Sequence, residues 1–273
     1  MKIIRENGME LILLDTPTEY LCGPWLGIEL ENGEYYIFKN CDKDNPYVLL
    51  NLKIGRMVNR LTVEFQKEMM DGKMLKARFY ADVYFSRKTM NCVFFYSIRN
   101  TGDLPFKLVN IYNLFDFDIG GLNEYDTDYA YYDENLQAII QYTKTGYVGF
   151  ASTKENHVAH YAASHPYELK LDANQRNLDD KILPGPDDLF SGLQWSLGSL
   201  NPSEWKILPV ILAVGEDKES FHGNLKKGIQ KAKRLRPLVK KLINLPERQE
   251  KVADDREKNM TEAYKKFKVN ENC

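Results

Sequence analysis

The sequence predicts an all-β fold of two stacked antiparallel sheets with an α-helical tail, and three observations predict it. Apolar residues alternate with a period of two in run after run up to about residue 215. Glycine-bearing turns at Asn32-Gly33, Asp71-Gly72 and Thr145-Gly146 separate those runs. From Glu216 onward the apolar spacing changes to three and four, which is helical. Two units follow: a β-sandwich over residues 1–215 and a helical tail over 216–273, packed on the sandwich or extending from it. At least a dozen strand-like runs precede the change, and two stacked sheets are the economical way to cover them.

The runs KIIRE and MELILLD flank Asn7-Gly8 and predict an edge hairpin. Leu26–Leu30 and Tyr35–Lys39 flank Asn32-Gly33, the strongest signal for a two-residue hairpin loop with positive φ at both positions. Leu61, Val63 and Phe65, and after Asp71-Gly72 the longer series Leu75, Ala77, Phe79, Ala81, Val83 and Phe85, alternate with polar residues, so this pair has one wet face. Cys92 to Ile98 and Leu104 to Ile119 are apolar on both faces and are joined by Asn100-Thr101-Gly102-Asp103. They predict the central hairpin of a large sheet.

An acidic, tyrosine-rich segment, GGLNEYDTDYAYYDENLQ, has no helical period and predicts a long loop with a short strand near Ala130. Another hairpin is expected from Ala138–Tyr142 and Tyr147–Ser152. A histidine-bearing connection runs from Asn156 to Glu168, and Pro184-Gly185-Pro186 opens an irregular loop. FSGLQWSLGSL and WKILPVILAVG read as the last strands. Phe221, Leu225, Ile229, Ala232 and Leu235 then mark one helix, and Pro237 suits the first turn of a second.

Composition bounds the class. With 43% hydrophobic and 12% aromatic residues the chain has ample material for a large core, and a net charge of -2 argues against a general nucleic-acid binder. The amino terminus carries no long apolar segment, so a cytoplasmic protein without membrane association is expected. Cys22, Cys41, Cys92 and Cys273 form no CxxC pair, which favours reduced thiols over a zinc site or a disulfide framework.

Three constellations carry chemistry. His157, His160 and His165 lie close together, but on a strand the first two face opposite ways and no HExxH occurs, so a polar loop is preferred over a metal site. Asp116, Asp118, Asp126 and Asp128 crowd beside Tyr131 and Tyr132; carboxylates can hold sugar hydroxyls and aromatic faces can stack on sugar rings, which makes these six the candidate sugar site. From His222 to Leu245 the chain holds eight lysines and arginines and no acid. Lys226, Lys227, Lys231, Lys233 and Arg234 form a candidate basic face for a protein partner or a second copy of the chain, opposite an acidic patch around Asp116 to Glu134. No phosphate loop, dinucleotide fingerprint or GxSxG elbow is present.

The segments RNTGDLPFKLVNIYNLFDFDIGG, YAYYDENLQAIIQYTKTGYVGFAST, LQWSLGSL and ILAVGEDKESF, within roughly residues 60–235, resemble the amino-terminal supersandwich domain of bacterial and archaeal glucoamylases, a galactose mutarotase-like fold. In that family the two catalytic glutamates belong to a following helical barrel, so the resemblance carries no catalytic residue onto this chain and implies no cofactor. It implies a non-catalytic, carbohydrate-related binding or protein-interaction module. The alternative is a small sugar-modifying enzyme, mutarotase-like or associated with a glycoside hydrolase; for the mutarotase type the NHxYFNL segment is missing and His160, His165 and Glu168 are the stand-ins.

Overall fold

The computed structural model describes residues 2–6, 9–12, 23–39, 47–54, 59–85, 90–117, 119, 126–165, 168 and 171–243. β1 (Lys2–Glu6) and β2 (Met9–Ile12) pair as a hairpin on their own, not at the edge of a larger sheet. Six strands form the smaller main sheet: β3 (Gly23–Leu30), β4 (Tyr35–Phe38), β9 (Phe106–Asp116), β13 (His160–Ser164), β14 (Lys181–Ile182) and β15 (Phe190–Ser196), in the order β14-β13-β15-β9-β3-β4. The larger sheet holds β5 (Tyr47–Ile54), β6 (Asn59–Glu68), β7 (Met74–Phe85), β8 (Asn91–Asn100), β10 (Tyr129–Asp133), β11 (Ala138–Thr143), β12 (Gly146–Ser152) and β16 (Trp205–Gly215), in the order β10-β11-β12-β16-β8-β7-β6-β5. All pairings are antiparallel except the short parallel bridge of β13 to β14.

The sheets stack face to face. Phe79, Phe94, Tyr96, Ile98 and Val210 of the larger sheet meet Ile28, Val109, Ile111, Phe115 and Trp195 of the smaller in one buried core. Both expected Asn-Gly and Asp-Gly turns are present, but as three-residue loops: Gly33 N–H donates to the Leu30 carbonyl and Gly72 N–H to the Met69 carbonyl, and positive φ is confined to the glycines. The Asn32 and Asp71 side chains instead accept the backbone N–H two residues on, at 3.0 and 3.1 Å, which holds each in a right-handed turn.

The expected central hairpin is corrected by the topology. β8 and β9 belong to different sheets, and the turn between them carries the chain from one layer to the other. Tyr96 Oη donates to Asn113 Oδ1 across the gap at 2.7 Å, and the rings of Phe94 and Phe115 lie 6.3 Å apart. Apolarity on both faces signals double coverage without telling side-by-side pairing from stacking. Here β8 is covered outside by the helix, through Val93 and Phe95, and β9 by the segment carrying Leu171 and Leu178, through Tyr112 and Leu114. Three strands were not expected at all: β5, β13 within the histidine-bearing connection, and the two-residue β14 that pairs with it.

Among the described residues the tail forms one helix, α1 (Lys218–Ile243), rather than two. Asp217 caps it: its Oδ1 accepts the Ser220 N–H at 2.7 Å while Ser220 Oγ accepts the Asp217 N–H at 3.1 Å, a reciprocal box that also holds the Asp217 carboxyl below the usual range. Gly215 is required just before it, because a Cβ there would lie 2.3 Å from the Phe221 nitrogen. Phe221, Leu225, Ala232, Leu235 and Val239 pack on Val93, Phe95, Ile211 and Ala213 of the outer face of the larger sheet. That packing carries the helix through Pro237, which is exposed and forfeits a single backbone bond.

On the same outer face, beyond the helix, the fully buried carboxylate of Asp82 receives Nε and Nη2 of Arg60, the latter at 2.6 Å. Opening a buried pair by removing one partner costs more than deleting both. Asp82→Ala is expected to destabilise the protein by about 3–5 kcal/mol, and the double variant Arg60→Met with Asp82→Leu to recover most of that loss. Guanidinium unfolding of the three proteins measures it; equal losses in the single and double variants would contradict the assignment.

Candidate functional site

β10 is an edge strand, and its two faces carry different chemistry because consecutive side chains alternate. On the outer face Tyr129 pairs in register with Tyr142 of β11, and Tyr142 with Tyr147 of β12. Their rings form a row: Tyr129 stacks on Tyr142 at 5.3 Å and 22°, and Tyr142 on Tyr147 at 5.2 Å and 10°. Tyr131 meets the middle ring edge-on at 5.9 Å, with the Lys218 ammonium 5.5 Å above its own ring. Tyr147 lies opposite Gly215 and packs into the cluster under α1, so that end of the row is closed. Tyr129 ends the row, 38% exposed, with one ring face on Tyr142 and the Gly185 backbone beside its Cα.

The inner face of β10 builds a second cluster. Tyr132 stacks on Tyr161 of β13 at 3.9 Å and 9°, bridging the two sheets at their rim. Asp180 clamps β13: its N–H donates to the Tyr161 carbonyl, its Oδ1 accepts the Tyr161 N–H at 3.1 Å, and its Oδ2 meets His160 Nδ1 at 2.8 Å. Gln137 contacts His157 Nδ1 at 3.2 Å and accepts the Val158 N–H at 3.1 Å. Gln137 and Asp180 both have positive φ, 50° and 57°, a strain held by these bonds. His165 Nε2 meets Asp187 Oδ2 at 3.0 Å, and Asp187 exchanges backbone bonds with Asp128, next to Tyr129.

The structure separates the six residues chosen for the sugar site. Asp116 lies at the end of β9 opposite Phe190, on the outer face of the smaller sheet. Asp126 is exposed in the turn before β10, and Asp128 is buried in a two-way backbone bridge to Asp187. Tyr131 faces outward from the larger sheet and Tyr132 inward, and Asp118 lies outside the described residues. Tyr142 and Tyr147 flank a two-residue loop, so their pairing was available from the sequence; the left-handed Gln137 and Asp180 left no signal there.

The basic face is corrected at one position. Lys226, Lys227, Lys233 and Arg234 are exposed, whereas Lys231 turns inward and donates to the Tyr84 carbonyl at 3.2 Å. Arg236 pairs with Glu155 at 3.2 Å. Among the described residues no cluster of metal-ligating groups occurs, and no helix is long and apolar enough to cross a membrane.

No family model matches the chain, and no curated protein does. Among solved structures it is similar in fold to a bacterial glucoamylase complexed with acarbose, at 10% identity and a TM-score of 0.45, over 76% of this chain and 28% of the other. It is also similar to a polysaccharide lyase, at 10% identity and 0.42, over 74% and 27%, and to a protein assigned as an aldose 1-epimerase in Klebsiella pneumoniae, at 9% identity and 0.40, over 77% and 66%. The chain spans less than a third of the first two. These likenesses concern strand arrangement alone.

Burial, then the charge of Asp133 and of the neighbouring tyrosines, pushes the Tyr131 hydroxyl up to about 12; burial, then Tyr161, Glu134 and Asp180, pushes Tyr132 up to about 12. An unfolded tyrosine ionises near 10. Between these values the unfolded chain has released protons that the folded chain retains, so stability is complete below about pH 10 and falls as pH rises toward 12. Absorbance at 295 nm should therefore lag in the native protein relative to the denatured one across that window, and Tyr131→Phe with Tyr132→Phe should remove part of the lag. Coincident curves would refute the burial.

Proposed function

We propose that this chain is a non-catalytic carbohydrate-binding module that takes a sugar ring against the outward face of Tyr129. One observation carries the reading: a row of three stacked tyrosines, closed at one end by α1, ends in a ring that is 38% exposed, that of Tyr129. Such a ring is held in place before any ligand arrives, so a sugar stacking on it orders little else. The exposed Asp126 lies three residues before Tyr129, in the turn that leads into β10. The resemblance of the central segments to a glucoamylase domain supports a neutral glucan as ligand.

The second reading is a sugar-modifying enzyme, and His160 held by Asp180 favours it, since a carboxylate on Nδ1 orients the other ring nitrogen for proton transfer. Against it, acid–base work on a sugar needs two titratable groups facing one another. Among the described residues the bonded partner of His160 is the carboxylate that holds it.

Calorimetric titration with maltooligosaccharides is expected to show millimolar or tighter binding. Tyr129→Ala should weaken it by about 1 kcal/mol, roughly fivefold, the worth of one aromatic stacking contact. In the same samples the optical rotation of fresh glucose should relax at the buffer rate. Saturable binding indifferent to Tyr129→Ala, or no binding, would defeat the module. Accelerated mutarotation abolished by His160→Ala would establish the enzyme instead.

A further inference from the structure

The exposed side of α1 is a second surface, independent of the tyrosine row. Lys226-Lys227, Lys233-Arg234 and Lys240-Lys241 recur every seven residues and are exposed, with exposed Gln230 and Pro237 between them. Seven residues are nearly two turns, so the three doublets fall on one strip, spaced about 10 Å apart along about 22 Å of helix. No acid occurs between Glu219 and Glu247. The helix cannot roll, because Phe221, Leu225, Ala232, Leu235 and Val239 are buried on the sheet. Lys231 and Arg236, off the strip, are spent on Tyr84 and Glu155.

What fits is a thin chain with a regularly repeated negative charge. Pro237 apart, the strip exposes no apolar side chain and no aromatic one, whereas protein interfaces depend on such anchors at their centre. A membrane-surface helix must bury its apolar face in lipid, and that face is already committed to the sandwich. Duplex nucleic acid would spread beyond the strip over a molecule whose net charge is -2. A single polymer strand meets only the doublets, and its binding is driven by counterion release along them. We propose that the outer strip of α1 binds a linear polyanionic glycan, one carrying carboxylate or sulfate groups along its length.

The test uses immobilised heparin and soluble polygalacturonate as probes with the full chain. The wild-type protein is expected to be retained at low salt and to elute as salt rises. Lys226→Glu, Lys227→Glu, Lys240→Glu and Lys241→Glu together should abolish retention. A control reversing Lys67, Lys73, Lys154 and Lys181, exposed lysines elsewhere with the same total charge change, should elute within about twofold of the wild-type salt concentration. Circular dichroism of both quadruple variants verifies the fold. Tyr129→Ala should leave retention unchanged, so this strip and the sugar site fail separately. Absence of retention, equal loss in the control, loss on Tyr129→Ala, or tighter binding to a short DNA duplex than to heparin would each overturn the proposal.

Discussion

The larger sheet consists of two meanders, β5 to β8 and β10 to β12, that do not pair with one another; β16 pairs with both and closes the sheet. Its ladder to β8 runs from Trp205 opposite Arg99 to Ala213 opposite Asn91, and its ladder to β12 from Val210 opposite Ser152 to Gly215 opposite Tyr147. Leu208, Val210 and Leu212 face the smaller sheet, while Ile211 and Ala213 face α1. One strand thereby joins both halves of the sheet, the core and the helix. Pro209 is tolerated at its centre because the β12 ladder ends one residue later in register. The Pro209 carbonyl accepts Ser152 Oγ at 2.5 Å on that side, so the missing N–H falls where no ladder bond is due.

From that strand the outer surfaces follow. The register of β12 on β16 sets Tyr147 against the start of α1, so the tyrosine row can open only at β10. The same docking turns the apolar stripe of α1 inward and leaves its lysine doublets outside. Both surfaces are rigid for one reason: each is the exposed side of an element whose other side is packed. Edge strands ordinarily invite unwanted pairing. On β10 that side is already taken up by the segment before β15: Asp128 and Asp187 exchange backbone bonds, and the Ala130 N–H donates to the Pro184 carbonyl.

A polar counterpart lies on the outer face of the smaller sheet. The hydroxyls of Tyr35 and Tyr112 meet at 2.5 Å, Asn110 donates to Tyr35, Tyr112 donates to the Arg176 carbonyl, and the Arg176 guanidinium sits 4.7 Å over the Tyr35 ring. Burial, eased by the bonds from Tyr112 and Asn110, raises the Tyr35 hydroxyl. Because buried polar groups cost free energy unless paired, this network fixes the segment around Arg176 over β3 and β9.

Local physics determined much of this protein from the sequence alone. Period-two alternation gave the strands from Leu61 to Phe85, the glycines at 33 and 72 fixed tight reversals, and the spacing of Phe221, Leu225 and Leu235 gave a helix with one apolar face. Each signal lies within a few residues, and backbone sterics and burial suffice to read it. Tertiary structure decided which strands lie side by side. β8 and β9 are adjacent in sequence and doubly apolar, yet stack in opposite layers; β16, the last strand, enters between β12 and β8. Faces were decided there too: Asp116, Tyr131 and Tyr132, close in sequence, end on three different surfaces, and Lys231 leaves its neighbours to reach Tyr84. Such choices rest on contacts between residues up to 147 apart in the chain, and alternation within one segment carries no information about its distant partner.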